Sequence, residues 1–381
     1  MSKKSGSAPT IHCLRENLKT AISDVSRFVP SRATLPVLST ILLAADESRL
    51  KLSATNLEVA LTAWVGAKVS GDLSIAVPAK TFADVVNAIG DGELILTLNP
   101  GTWTLTVTGG GYVNEIKGID PAEFPSIPRI GEGIILPADP LHRAITLVAF
   151  AAAANDARPA LASVNLAANG HGGLTLAATD GFRLSRAIIP LPGLPALNAM
   201  VPARALSDLA ALLKTDDQVV TELVNNQIRF KFGAYEMIIQ LVEGAFPNYE
   251  NIIPKKSTTS ALTAGDDFTL ACKAAHVFAR ENSDIARFSI RHPDGVEGPG
   301  GITVSAQSAE TGSNESVVDA TVQGEGLDIA FNVKFMLQAL TALKAAKKVS
   351  LELTTPAAPA ILRDPDDPNF LHVLMPMRLG K

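Results

Sequence analysis

Residues 50–61 read LKLSATNLEVAL, and residues 174–185 read LTLAATDGFRLS. The two align at an offset of 124 residues, Ala54 on Ala178. The same offset sets Pro78 of PAKTFADVVNAI (78–89) on Pro202 of PARALSDLAALL (202–213). Further along, YVNEIKGIDPAEFPSIP (112–128) is answered by YEMIIQLVEGAFPNYENIIP (235–254). A third, more diverged series holds ITVSAQS (302–308) and NVKFMLQALTAL (332–343) and lacks the FP element. Motifs kept in one order at one spacing are the mark of internal duplication, so the chain reads as three repeats of roughly 125 residues. The Pro-rich joints FPSIPRIGEG (124–133) and IIPKKSTTSA (252–261) then divide it into domains 1–132, 133–256 and 257–381.

Each repeat has the same grammar. An amphipathic helix opens it: residues 12–28, 139–152 and 266–281. In the first, Leu14, Leu18, Ile22 and Val25 recur on one helical face. Segments alternating with period two follow, such as LKLSAT, TWTLTVT and IRFKF, and read as strands. A second helix starts just after the proline of PAKTF or PARAL. The expected class is α+β, with three similar domains of two helices backed by antiparallel sheets.

The 381 residues are 47% hydrophobic and 19% charged, a core-forming composition rather than a disordered one. No apolar run approaches the roughly 18 residues of a membrane span, and MSKKSGSAPT has no apolar signal core. Cys13 and Cys272, both in proposed helices, make neither a disulfide framework nor a zinc site, and a reducing cytoplasm is the expected compartment. No P-loop, GxGxxG, GxSxG or HExxH pattern occurs, and the histidines (12, 142, 171, 276, 292, 372) are scattered. Gly109-Gly110-Gly111 reads as a hairpin turn, GPGG (298–301) as a loop, and Thr179-Asp180-Gly181 as a β-turn rather than a catalytic carboxylate. No catalytic residue, metal or cofactor is expected. The alternative is a β-rich multidomain enzyme with a site at a domain joint, using Asp180 or Arg183.

Net charge is −5, but it is unevenly placed. Six proposed helices (12–28, 79–90, 139–152, 203–214, 266–281, 333–348) hold 13 basic and 8 acidic residues, and the rest of the chain 20 and 30. The last has Lys334, Lys344, Lys347 and Lys348 and no acid. That pattern suits either solvated helix faces or a helical surface turned to a polyanion without base readout.

At this point specific motifs join. RATLPVLSTILL (32–43), the VPAK and VPAR helix starts, AEFPSIP, AATDGFRL (177–184), AFPNYENIIP, FNVKFMLQAL (331–340) and VLMPMRL (373–379) run through essentially the whole chain. Together they resemble the bacterial sliding clamp family, the beta subunit of DNA polymerase III. The resemblance implies a DNA clamp fold and a homodimer closed head to tail into a ring around double-stranded DNA, bound without sequence preference. It implies a non-enzymatic processivity factor in the cytoplasm whose partners are the polymerase III alpha subunit, a clamp loader, other polymerases and repair proteins, with no membrane partner. Geometry agrees: helices about 10 Å across leave a bore of ~9 Å when six line a ring and ~28 Å when twelve do.

The resemblance also assigns residues. The partner-peptide pocket is Arg158, Leu161, Thr179, Gly181, Phe182, Arg183, Leu184, Pro247, Asn332, Phe335, Val373, Met375, Pro376, Met377, Arg378 and Leu379. Arg32 matches a DNA-contacting arginine, and the helix cations Lys80, Arg143, Arg204, Lys273, Lys334, Lys344, Lys347 and Lys348 complete the expected DNA set. Tyr112 and Ile116 against Val277 and Phe278 form the expected subunit contact, with ordinary core packing as the alternative. Three departures stand out. The loop 155–160 lacks the family's tyrosines, Phe182 replaces a common histidine, and Gly380-Lys381 extend past the usual final leucine.

Overall fold

The computed structural model describes residues 8–155, 157–169, 172–215, 218–292 and 298–378. The turns within residues 50–61 and 174–185 are closed by the same four hydrogen bonds. Thr55 Oγ1 donates to Val59 O at 2.9 Å, and Thr179 Oγ1 to Arg183 O at 2.6 Å. The amides of Leu57 and Gly181 donate to those hydroxyl oxygens at 3.0 and 3.1 Å. Asn56 Oδ1 accepts from the Glu58 and Val59 amides; Asp180 Oδ1 accepts from those of Phe182 and Arg183. Short Asx and Thr side chains commonly close turns this way. Here they do so twice, 124 residues apart.

The first third runs β1 (Thr10–Leu14), α1 (Arg15–Ser26), β2 (Thr40–Asp46), β3 (Arg49–Thr55), β4 (Val59–Ser70), β5 (Ser74–Pro78), α2 (Ala79–Ala88), β6 (Glu93–Asn99), β7 (Thr104–Gly109) and β8 (Tyr112–Lys117). The middle third runs β9 (Ile134–Pro137), α3 (Ala138–Val148), β10 (Ser163–Ala168), β11 (Leu174–Thr179), β12 (Arg183–Ile189), β13 (Leu197–Pro202), α4 (Ala203–Leu212), β14 (Gln218–Val224), β15 (Gln227–Phe232) and β16 (Tyr235–Gln240). The last third runs β17 (Thr259–Ala264), α5 (Gly265–Ala279), β18 (Ile285–Arg291), β19 (Gly298–Ser308), β20 (Gly312–Gly324), β21 (Leu327–Asn332), α6 (Val333–Ala342), β22 (Lys348–Leu353), β23 (Ala360–Arg363) and β24 (Phe370–Leu374). Every third is strand, helix, four strands, helix, three strands.

The chain divides into two compact units, Met1–Asp139 with Leu212–Leu241 and Pro140–Ala211 with Val242–Lys381. In the first, an antiparallel sheet has the order β8-β7-β6-β1-β4-β16-β15-β14-β9, with β3, β2 and β5 branching from β4. In the second the order is β13-β10-β11-β12-β24-β23-β22-β17-β20-β19-β18-β21. Strands of successive thirds meet in equivalent ladders, β4 with β16 and β12 with β24. Helices lie over the sheets on apolar faces. α1 buries Leu18, Ala21, Ile22 and Val25 over β3 and β4, and α5 buries Phe268, Ala271, Cys272 and Ala275 over β19 and β20. Phe268, Phe288 and Phe331 meet edge to face, a favoured aromatic arrangement.

Several boundaries differ from the sequence reading. His12–Leu14 belong to β1, because Cys13 alternates with Ile11 into the core of a strand laddered on both sides; Leu14 is exposed rather than on the helical face. Cys13 therefore lies in a strand and Cys272 in a helix, both buried as free thiols. α6 ends at Ala342, so Lys344 and Lys347 follow the helix and Lys348 starts β22, where the Ala264 pairing claims it. GPGG (298–301) is the start of β19 and not a loop; a Cβ on Gly300 would sit 2.4 Å from Arg291 O, so only glycine permits that pairing. Gly110 and Gly111 do make the β7–β8 turn, both at positive φ.

Candidate functional site

The turn Thr179–Arg183 is where chemistry-bearing side chains converge. Arg183 is 5% exposed. Its Nε donates to Asp180 Oδ2 at 3.1 Å, one terminal nitrogen to Gln338 Oε1 on α6, and the other to Phe150 O at 2.8 Å, in the short turn after α3. The guanidinium carbon lies 4.3 Å from the Phe335 ring centroid and 5.4 Å from that of Phe150. Burial pulls its pKa below the ordinary value while Asp180 pulls it back. A desolvated, fully paired arginine of this kind is a structural link.

Beneath the turn, His372 on β24 faces Ser185 on β12, with Nδ1 and Oγ 2.7 Å apart. The ring is fully enclosed and packs on Phe150. Burial, and then the Arg183 charge, hold its pKa down at about 3. After β24 the chain end crosses the site: Met375 N donates to Phe182 O at 3.0 Å and Met377 N to Ala330 O at 2.8 Å. Asn332 caps α6 by accepting from Phe335 N.

Of the expected pocket residues, these bonds and ring contacts join Thr179, Gly181, Phe182, Arg183, Met375, Asn332 and Phe335; the set differs in exposure. Phe182 is 56% exposed, Arg158, Gly181, Pro247 and Arg378 are exposed, and Asn332, Phe335, Met375, Pro376 and Met377 are half-buried. Thr179, Leu161, Leu184 and Val373 are buried and offer little surface to a ligand. Leu184 and Val373 are covered because Phe246, Tyr249 and Ile253 of the Pro-rich joint pack on their cluster with Ala177, Ile361 and Leu371. Arg183 likewise faces its own protein. Leu379, Gly380 and Lys381 lie outside the described residues, as do Asp156 of the loop and His171. Sequence reasoning missed Phe150, Gln338, Phe246, Tyr249 and His372. The joint's aromatics were readable as apolar residues in a Pro-rich segment; nothing local signals the others.

Among the expected DNA contacts, Arg32, Lys80, Arg204, Lys273, Lys334, Lys344, Lys347 and Lys348 are exposed. Arg143 is exposed but bonded to Asp367 at 2.9 Å, which ties up the charge. Within their observed bounds the helices are neutral: Arg15, Lys19, Lys80, Arg143, Arg204, Lys273 and Lys334 against Glu16, Asp24, Asp84, Asp139, Asp208, Asp266 and Asp267. The basic excess expected of the helices lies just past their C-termini, at Arg27, Lys214, Arg280, Lys344, Lys347 and Lys348. Of the expected subunit contacts, Tyr112 is 59% exposed on the edge strand β8 and Val277 56% exposed on α5, with Phe278 half-buried. Ile116 is 3% exposed and opposes Leu105 in the core, so its side chain cannot form the contact; Val113, 68% exposed, is the outward residue. Among the described residues, β20 has no partner on one side over Ser313–Val318, where Val317 is 70% exposed. Among the same residues, no group of three His, Cys, Asp or Glu is placed to hold a metal, and no helix is long and apolar enough to cross a membrane.

Family models match nearly the whole chain. That of the DNA polymerase III beta subunit N-terminal domain matches residues 10–128, the central domain 135–248, and the C-terminal domain 250–378. The chain belongs to the DNA polymerase III beta-subunit family. The beta sliding clamp of Synechococcus elongatus is 30% identical over 380 residues, covering 96% of this chain and 98% of that protein. That of Caulobacter vibrioides is 28% identical over 376 residues, with the same coverage. The crystal structure of the Pseudomonas aeruginosa sliding clamp bound to griselimycin superposes with TM-score 0.90 at 26% identity, covering 98% of this chain and 100% of that one. The α+β clamp fold follows. The enzyme alternative has no support: both Asp180 oxygens are committed to the turn and to Arg183.

Proposed function

We propose that this clamp is a non-catalytic processivity factor: two copies of the three-domain chain (1–132, 133–256, 257–381) close head to tail around duplex DNA, slide on it and tether the replicative polymerase. One observation carries the DNA reading. α2, α4 and α6 each have an exposed cation as their second residue, Lys80, Arg204 and Lys334, and no acid in the first turn. A helix N-terminus favours negative charge. Three equivalent cations there work against the fold and are supported by a polyanion bound over them. Arg32, Lys273 and the lysines after α6 add diffuse phosphate contacts, which allow movement because none reads a base. A separate ATP-driven loader opens the ring, and the cytoplasm is its compartment. The exposed edges of β8 and β20, with Tyr112, Val113 and Val317, suit pairing between copies. Phe182, Phe335, Met375 and Met377 form the apolar wall on which the alpha subunit, other polymerases and repair proteins dock a short peptide, methionine lending adaptability. The test is retention on nicked circular duplex against linear duplex of the same length after loading. Survival on circles and escape from linear ends is expected; equal retention on both refutes sliding.

A further inference from the structure

We infer that Arg183 is a positioning residue of the docking site, fastening the Asp180–Phe182 turn and the chain end that hangs from it to α6. The inference rests on the docking reading above. The sister turn supplies the argument. Val59 stands where Arg183 does, 124 residues earlier, yet that turn makes the same four hydrogen bonds through its Thr and Asx side chains. Only the Asp180 Oδ2 bond to Nε has no counterpart there.

The strand end is held equivalently as well: Gln240 N donates to Glu58 O at 2.8 Å, as Met375 N does to Phe182 O at 3.0 Å. The arginine is therefore unnecessary for the turn. What it adds is reach. It joins Gln338 and Phe335 on α6, Phe150 after α3, and Asp180 in the turn. Phe182 and Met375 project from that turn and strand end, and Asn332 and Phe335 from the helix, so one guanidinium sets the spacing between opposite sides of the apolar wall. A buried charge is costly unless every partner is in place, which makes the spacing a single, defined one.

The test uses the full chain with Arg183→Met, which keeps much of the stem, and Gln338→Ala, which removes one acceptor at an exposed helix position. Gln338→Glu retains the acceptor. Amide exchange at Met375 should quicken about tenfold or more in Arg183→Met and Gln338→Ala, matching the removal of charged hydrogen bonds. It should stay near wild type in Gln338→Glu, while exchange at Leu166 in β10 is unmoved in all three. Titration with a fluorescent short peptide bearing Leu and Phe anchors should show about tenfold weaker binding in the first two variants. Unchanged exchange at Met375, or equal quickening at Leu166, overturns the inference, the latter by making Arg183 a general stabiliser. If the wild-type chain itself does not hold the peptide, the docking reading falls, and the exchange comparison still decides the role of Arg183.

Discussion

Leu57 sits at φ +76, a conformation that leucine avoids, where the sister turn has Gly181 at φ +94. Its side chain is 52% exposed and contributes little burial to offset the strain. Leu57→Gly should stabilise the fold by roughly 0.5–1 kcal/mol, and Gly181→Ala should cost about 1 kcal/mol, since only backbone strain is added there. Thermal melts of both variants check the pair. His372 sets a pH dependence. Its native pKa of about 3 lies below the ordinary 6.5, so between these values the unfolded chain binds a proton that the native chain refuses. Stability is full above about pH 6.5 and falls as pH drops toward 3, by on the order of 2 kcal/mol at about pH 5. In His372→Gln the slope of melting temperature over this range should flatten; an unaltered slope assigns the effect elsewhere. Neither residue announces itself locally: a leucine in TNLE and a histidine in FLHVL acquire meaning only from the turn geometry and the ladder around them.

At the level of elements, the second helices open against their own dipoles. Replacing Lys80, Arg204 and Lys334 with glutamate should raise the melting temperature, each change adding about 0.3–1 kcal/mol, while DNA binding weakens. The slope of log affinity against log salt should shrink by roughly 0.9 for each phosphate that is no longer neutralised. Opposite signs for stability and binding separate a ligand-binding cation from a solvated surface charge. Helix existence and the proline starts were readable from periodicity and from PAK and PAR. Helix ends were not: KAAKK continues a helical composition, and α6 stops at Ala342 because Lys348 is recruited into the ladder with Ala264. That displacement also moves the expected basic stripe from the helices to the turns beyond them.

For the whole molecule, the proposed pairing of two copies is tested at the sheet edges. Among the described residues, β8 ends the sheet of the first unit and exposes Tyr112 and Val113, and β20 exposes Val317 where it has a partner on one side only. Aspartate at Val113 or lysine at Val317 should reduce the sedimenting mass from two chains to one without lowering the melting temperature, because both side chains are outside the core. A mass that stays at two chains places the subunit interface elsewhere. Ile116→Ala should instead destabilise by about 2–5 kcal/mol, as expected of a core residue.

Sequence by itself determined the threefold repeat, the α+β class, the turn chemistry and the family. These are local or repeated patterns, in which hydrophobic period, Asx and Thr turns and proline starts act within a few residues and recur at 124. Tertiary structure alone decided which expected pocket residues are surface and which are floor, that Arg183 is occupied by Gln338 and Phe150, that Ile116 is interior, and that His372 is buried beside Ser185. Each of these depends on which strand or helix from a distant part of the chain arrives alongside, and burial and pairing across such distances leave no trace in the spacing of neighbouring residues.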